Sequence, residues 1–190
     1  MCIRDSDMVY MCYDNEGYMN TGYQRSGSTP HGASTTTAPA GKVSYGKPQF
    51  NKDLTGILAA HRLPYVAQAI PAKPNDLIRK ATTAFYTEGP CFINCLSPCI
   101  PGWKIAPNET VETGLLAVDT CFWPLYEVVD GEWKLNFKPK EKKPVVDWLI
   151  GQGRFRHLFK PELRQDVLDE IQAEIDRRWH DLLLKCGEGA

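Results

Sequence analysis

Three short runs of apolar, β-prone residues constrain this chain more than any other feature. They span residues 8–13, 64–70 and 91–96, and segments of helical periodicity separate them. Continuous apolar runs of this length suit strands buried on both faces, as in a parallel sheet. Between the first two runs, Asn51 reads as the cap of a helix carrying Leu54, Ile57 and Leu58. Between the second and third, a helix starting at Asn75 or Asp76 places Leu77, Ile78, Ala81 and Phe85 on one face and stops at Gly89-Pro90. After the third, Val111, Leu115 and Val118 fall at helical spacing. Parallel strands need crossovers, and crossovers put helices over the sheet, so the expected class is α/β, a mostly parallel sheet flanked by helices.

The remainder reads as an appendage to that sheet. Residues 123–129 and 133–138 are β-prone and flank Asp130-Gly131, a hairpin signal at a sheet edge. Residues 138–144 (KPKEKKP) form a solvated, proline-bounded linker, and residues 161–186 hold a helix with Leu163, Val167, Ile171, Ile175 and Leu182 along one stripe. The expected division is therefore an α/β domain over residues 7–138 and a linker with a C-terminal helical extension over 139–190. Residues 1–6 carry neither pattern and a buried strand follows at once, so they read as a non-native leader on a domain incomplete at its N-terminus.

Composition narrows the function classes. Lys and Arg total 22 against 23 Asp and Glu, a net charge of -1, which gives no global electrostatic reason to expect nucleic acid or an anionic membrane as partner. No apolar stretch approaches the roughly 20 residues of a spanning helix, and a cytoplasmic protein is expected. The seven cysteines, an odd number beside a 43% hydrophobic composition, argue against a disulfide scaffold.

Two segments invite chemistry. Residues 14–22 (DNEGYMNTG) lie where a strand ends, and 14 of the 22 positions from 20 to 41 are Gly, Ser, Thr or Pro. Ligands of open α/β sheets sit at such carboxyl ends. A Mg²⁺-diphosphate needs hard oxygen ligands, of which an Asn side chain and a backbone carbonyl two residues on supply two. Asn20, Thr21 and the loop hydroxyls can donate to phosphate or substrate. On spacing alone the segment reads first as a plain turn. The second segment contains Cys91, Cys95 and Cys99. The first two share a face of the proposed strand, and only Cys99 lies beyond its end; with no C-x2-C in the chain, any cluster partners of Cys99 lie elsewhere. Cys12, Cys91, Cys95 and Cys121 read as small buried side chains. The histidines show no zinc spacing: His61 and His180 read as helix-surface residues, and His31 as a loop residue able to line a site. The Trp and Phe residues read as packing.

Residues 13–41 (YDNEGYMNTGYQRSGSTPHGASTTTAPAG) closely resemble the thiamine diphosphate loop of the beta subunit of 2-oxoacid:ferredoxin oxidoreductases, in the pyruvate-oxidising branch. The likeness continues through LAAHRLPYVAQA (58–69), INCLSPCIPGW (93–103), CFWPLYEVVDGEW (121–133) and KKPVVDWLIGQGRFRHL (142–158). The resemblance implies a thiamine-diphosphate-binding fold in an enzyme that oxidatively decarboxylates pyruvate or a related 2-oxoacid to acyl-CoA and CO₂. Electrons would pass through a [4Fe-4S] cluster to ferredoxin, with alpha, gamma and delta-type subunits and coenzyme A as partners. Carried over by motif, Asn15 by its side chain and Gly17 by its carbonyl resemble the Mg²⁺ ligands, with Gly17 standing where Ala is more usual. Asn20 resembles the catalytic residue beside the reactive end of the cofactor, Thr21 joins Asn15, Gly17 and Asn20 as a cofactor-binding residue, and Cys99 resembles a cluster thiolate. The family's upstream Gly-Asp-Gly and paired cysteines have no counterpart in these residues, which implies that the 190-residue chain holds either cofactor poorly. Two other readings remain: a thiamine-dependent decarboxylase or synthase without a cluster, and an inactive structural fragment.

Overall fold

The computed structural model describes residues 6–188; apart from Ser6, the proposed leader lies outside the described residues. Five strands form one sheet: β1 (Val9–Asp14), β2 (Tyr65–Ala69), β3 (Cys91–Leu96), β4 (Tyr126–Val129) and β5 (Glu132–Leu135). Their order is β1-β3-β2-β4-β5. The first three are parallel, as their continuous apolar runs imply, and β4 and β5 extend the sheet antiparallel beyond β2. The hairpin turns at Asp130 (φ 51) and Gly131 (φ 89), the two left-handed residues of a type I′ turn.

Alternation along the strands splits the core. Val66 and Phe92 face a cluster built with α1 (Leu54–Ala60) and the C-terminal half of α6 (Gln165–Lys185), including Leu182. Tyr65, Ala67, Ala69, Cys91 and Ile93 face α2 (Pro74–Tyr86), which contributes Leu77, Ala81 and Ala84. A third cluster lies beyond the carboxyl ends of the strands. There Ile70 and Leu96 meet Trp103, Trp148 and Phe155 with the N-terminal half of α6. Two short helices, α3 (Ile100–Trp103) and α5 (Val146–Leu149), bring Trp103 and Trp148 into it, and α4 (Thr110–Asp119) adds Ala117 and Val118.

Several expected boundaries move. The cap of α1 is Asp53, whose Oδ1 accepts from Gly56 N at 2.8 Å, while Asn51 instead accepts two hydrogen bonds from Arg178 of α6. Helix α2 begins at Pro74, which suits the first helical turn, where no backbone N–H is required. Its buried face is rotated one residue from the expected one, leaving Ile78 and Phe85 exposed. Lys80 takes the inner position, fully buried over the small residues of β2. Its ammonium donates to the Gln68 carbonyl at 2.7 Å and to Asp76 at 2.6 Å. Val111 of α4 is exposed for the same reason of phase, since Thr113, Gly114, Ala117 and Val118 form the inner stripe. Helix α6 starts at Gln165, not 161. Arg164 N donates to Leu158 O at 2.9 Å, and the turn so closed leaves Leu163 exposed. Val167, Ile171, Ile175 and Leu182 are buried as expected.

Candidate functional site

β1 and β3 are bonded neighbours, with Asp14 opposite Leu96, so the turns that follow them leave the sheet side by side. The first opens on Asp14, whose buried carboxylate accepts from Glu16 N at 2.9 Å and from Ser28 Oγ at 2.5 and 2.6 Å. The turn is thereby tied to the long loop. Glu16 then takes φ 64, a left-handed conformation that costs a non-glycine residue about 1–3 kcal/mol and persists where its surroundings impose it. The imposing contacts are explicit. The side chain is 1% exposed, its Oε2 lies 2.6 Å from Arg154 Nη2, and its carbonyl accepts from Thr29 Oγ1 at 2.7 Å.

Arg154, 3% exposed, lies on the 3₁₀ turn Gly153–Leu158 of the C-terminal segment. Its guanidinium stacks 4.0 Å from the Trp103 ring centroid, and its Nε donates to Gln152 Oε1 at 2.9 Å. Trp103 in turn donates from Nε1 to the Asn15 carbonyl at 2.9 Å. Burial pushes the Glu16 carboxyl up to about 7 against the pull of Arg154, and burial also lowers the Arg154 guanidinium. Lys47 closes the loop side, donating to the Thr29 carbonyl at 2.5 Å, and burial brings its ammonium down to about 8.

The second turn carries Cys99, half-buried just before α3. A Cβ on Gly102 would lie 2.3 Å from Met19 Sδ and 3.2 Å from Cys99 Sγ, so the two turns close over this glycine. The structure thus brings Asn15, Gly17 and Cys99 to one end of the sheet. Among the described residues no hydrogen bond engages the Asn15 side chain or the Gly17 carbonyl. Asn20 and Thr21 stand apart, exposed at the tip of a tight loop closed by the Tyr18–Gln24 bridge, where Thr21 pairs with Gln24. Cys91, Cys95 and Cys121 are buried, and burial raises each thiol. Cys12 is half-buried. Among the described residues no group of three or more His, Cys, Asp or Glu is placed to hold a metal ion.

A cavity of about 340 Å³ lies between the sheet and α6, lined in part by Asp14, His31, Gln68, Asn94 and Trp133. His31 is buried there, with Nδ1 3.0 Å from Pro48 O and Nε2 3.2 Å from Glu170, and so fastens the loop. His61 and His180 are exposed.

Residues 1–95 match the family model described as thiamine pyrophosphate enzyme, C-terminal TPP binding domain. The chain belongs to this family. Within the TPP-binding region the match runs from before β1 to Cys95, so it contains the first turn whole and stops short of Cys99. The chain is also similar to pyruvate synthase subunit PorB of Thermotoga maritima, 46% identical over 96% of this chain and 56% of the relative. It is 46% identical to the PorB of Methanothermobacter thermautotrophicus over 90% of this chain and 60% of that one. Ketoisovalerate oxidoreductase subunit VorB of Pyrococcus abyssi is 43% identical over 88% of this chain and 55% of its own length. The chain therefore spans a little over half the length of these relatives.

Of the residues that build the first turn of this TPP-binding domain, sequence reasoning missed Glu16, Arg154 and Trp103. Glu16 stands inside the quoted motif, between two positions that drew attention as oxygen donors. No local signal announces Arg154, whose partner is 138 residues away.

Proposed function

We propose that this chain is the thiamine diphosphate-binding part of a beta subunit that, in a complete complex, oxidatively decarboxylates pyruvate or a related 2-oxoacid to acyl-CoA and CO₂. Electrons leave through a [4Fe-4S] cluster to ferredoxin, with alpha, gamma and delta-type subunits as partners, coenzyme A as acyl acceptor and the cytoplasm as location. The carrying observation is the juxtaposition of two strand-end turns: one offers two unengaged hard-oxygen donors, Asn15 and Gly17, and the other a half-buried thiol, Cys99. The names of the relatives, pyruvate synthase and ketoisovalerate oxidoreductase subunits, support a 2-oxoacid substrate.

The donor set fits Mg²⁺ in kind, since an amide oxygen and a carbonyl are ligands this ion accepts, with diphosphate oxygens, water and another protein group completing the octahedron. Cys99 fits one thiolate of a cluster whose other ligands lie outside the described residues. Thiamine diphosphate, when bound, supplies the nucleophilic carbon and electron sink that side chains lack. This chain's contribution is to hold and orient it: Asn15 and Gly17 at the diphosphate end, Thr21 as a further hydrogen-bond donor to the cofactor, Asn20 toward the reacting end, and Cys99 toward the electron exit.

Two pairs of variants in the assembled complex test this reading. Asn15→Ala is expected to weaken retention of Mg²⁺ and cofactor, whereas Asn20→Ala lowers turnover with cofactor still bound, by an amount typical of losing one polar group at a reacting centre, about 10²–10³-fold. Cys99→Ala is expected to lose iron and ferredoxin reduction, and Cys95→Ala to keep both at about 1 kcal/mol of stability. A Cys99→Ala complex with full iron and normal ferredoxin reduction overturns the cluster-ligand role of Cys99, whereas a wild-type complex that holds no iron favours a thiamine enzyme without a cluster.

A further inference from the structure

We propose that Arg154, acting through Glu16 and Trp103, is a positioning residue that sets the geometry of the Asn15–Gly17 turn, so that the C-terminal segment governs how tightly the Mg²⁺-diphosphate is held. The inference rests on the reading of that turn given above and adds to it a control element from outside the matched TPP-binding region, since residue 154 lies well beyond residue 95.

Three observations converge. First, Glu16 sits between the two candidate ligands with φ 64, so its backbone determines how the Asn15 side chain and the Gly17 carbonyl are presented. Second, the only described partner of the Glu16 carboxylate is Arg154, at 2.6 Å, and Oε1 is buried without a partner; one contact therefore holds the side chain inward. Third, Arg154 stacks at 4.0 Å on Trp103, whose indole N–H fixes the Asn15 carbonyl at 2.9 Å. The guanidinium thus reaches the turn by two routes, one through Trp103 to the carbonyl of the Asn15–Glu16 peptide and one directly to the Glu16 side chain. The Arg154 carbonyl also accepts from Ser34 N at 2.9 Å, which ties the same residue to the loop that wraps the turn. Groups that orient ligands in this way commonly change affinity for the bound ion by about 10–100-fold when removed.

The experiment uses the beta subunit in its assembled complex, stripped of cofactor and titrated with thiamine diphosphate and MgCl₂, with binding followed by calorimetry and tryptophan fluorescence. Arg154→Met is expected to raise the Mg²⁺ concentration for half-saturation about 10–100-fold while near-UV circular dichroism and a cooperative thermal transition persist. Arg154→Lys, which keeps the cation but not the planar stack, is expected to recover part of this loss. Trp103→Phe keeps a ring under the guanidinium but loses the bond to Asn15, and a smaller rise of several-fold is expected. Asn15→Ala serves as the reference. If it leaves Mg²⁺-dependent binding unchanged, the turn is not the diphosphate site and the reading above fails. If it weakens binding while the Arg154 variants match the parent, the reading stands and the positioning proposal is overturned. Should Arg154→Met not fold, Arg154→Lys and Trp103→Phe decide, and wild-type half-saturation in both overturns the proposal.

Discussion

Among the described residues two buried glutamates pair with arginine, and they are built to opposite ends. Glu127, at the hairpin edge, has both oxygens occupied: Tyr65 Oη at 2.8 Å, Arg79 Nη1 at 3.0 Å to each oxygen, and Asn136 Nδ2 at 3.1 Å. Burial opposes its charge, yet these donors hold it below the ordinary carboxylate range. Its arginine is 45% exposed and can be hydrated. Glu16, at the end of β1, has one bond to a 3%-exposed arginine and one oxygen unpartnered, and burial pushes it up to about 7. A carboxylate whose lone pairs are filled fastens elements together, here β2, β4, α2 and the strand exit at Asn136. One left half-filled in a left-handed turn is stabilised less by its own bonds and more by the walls around it. Residue type is the same at both places, so the number of donors and the access of water to the arginine account for the opposite shifts.

Substitutions can break that contrast. The largest effect is expected from Glu16→Ala, which leaves the Arg154 guanidinium buried without an anion. The loss is about 3–5 kcal/mol by urea unfolding at neutral pH, and under 1 kcal/mol the pair is not closed to water. Glu127→Ala should cost less, about 2 kcal/mol, because Tyr65 and Asn136 lose an acceptor while Arg79 turns to solvent. The same denaturation series checks it. The Glu127 contribution also has a pH signature. Its folded pKa lies below the unfolded carboxylate value of roughly 4.3, so its stabilisation is complete above that value and is lost as pH falls through the folded one. The gap in urea midpoint between wild type and Glu127→Gln should therefore be smaller at pH 3 than at pH 7, and a constant gap would sink the assignment. The smallest effect belongs to Arg79→Met, within about 1 kcal/mol, since its half-exposed charge is screened and Glu127 keeps Tyr65 and Asn136.

Much of the sheet was legible because strand burial writes itself in contiguous residues. The three parallel strands, the Asp130-Gly131 hairpin and the stripe of α6 each follow from spacing within one segment. The errors share a cause. Asn51 and Asp53 are both good capping residues, and only the partner offered by Arg178 decides which of them is taken elsewhere. In α2, the phase of the buried face depends on the alanines of β2 leaving room for the Lys80 stem, a fact about a neighbouring element. At the site, the motif identified Asn15, Gly17 and Cys99, and the structure brings all three to one end of the sheet, while it sets Asn20 and Thr21 on an exposed tip.

From its sequence alone the chain is committed to an α/β sheet, to a glycine- and hydroxyl-rich loop at the end of its first strand and to a thiol just past its third. These follow from periodicity and turn chemistry, which act over a few residues. The tertiary structure alone decided that Arg154 closes on Glu16 and that Trp103 reaches Asn15, contacts spanning 138 and 88 positions. Such pairings depend on how separate segments fill one buried volume, where a charge must find the complement that the packed neighbours leave within reach.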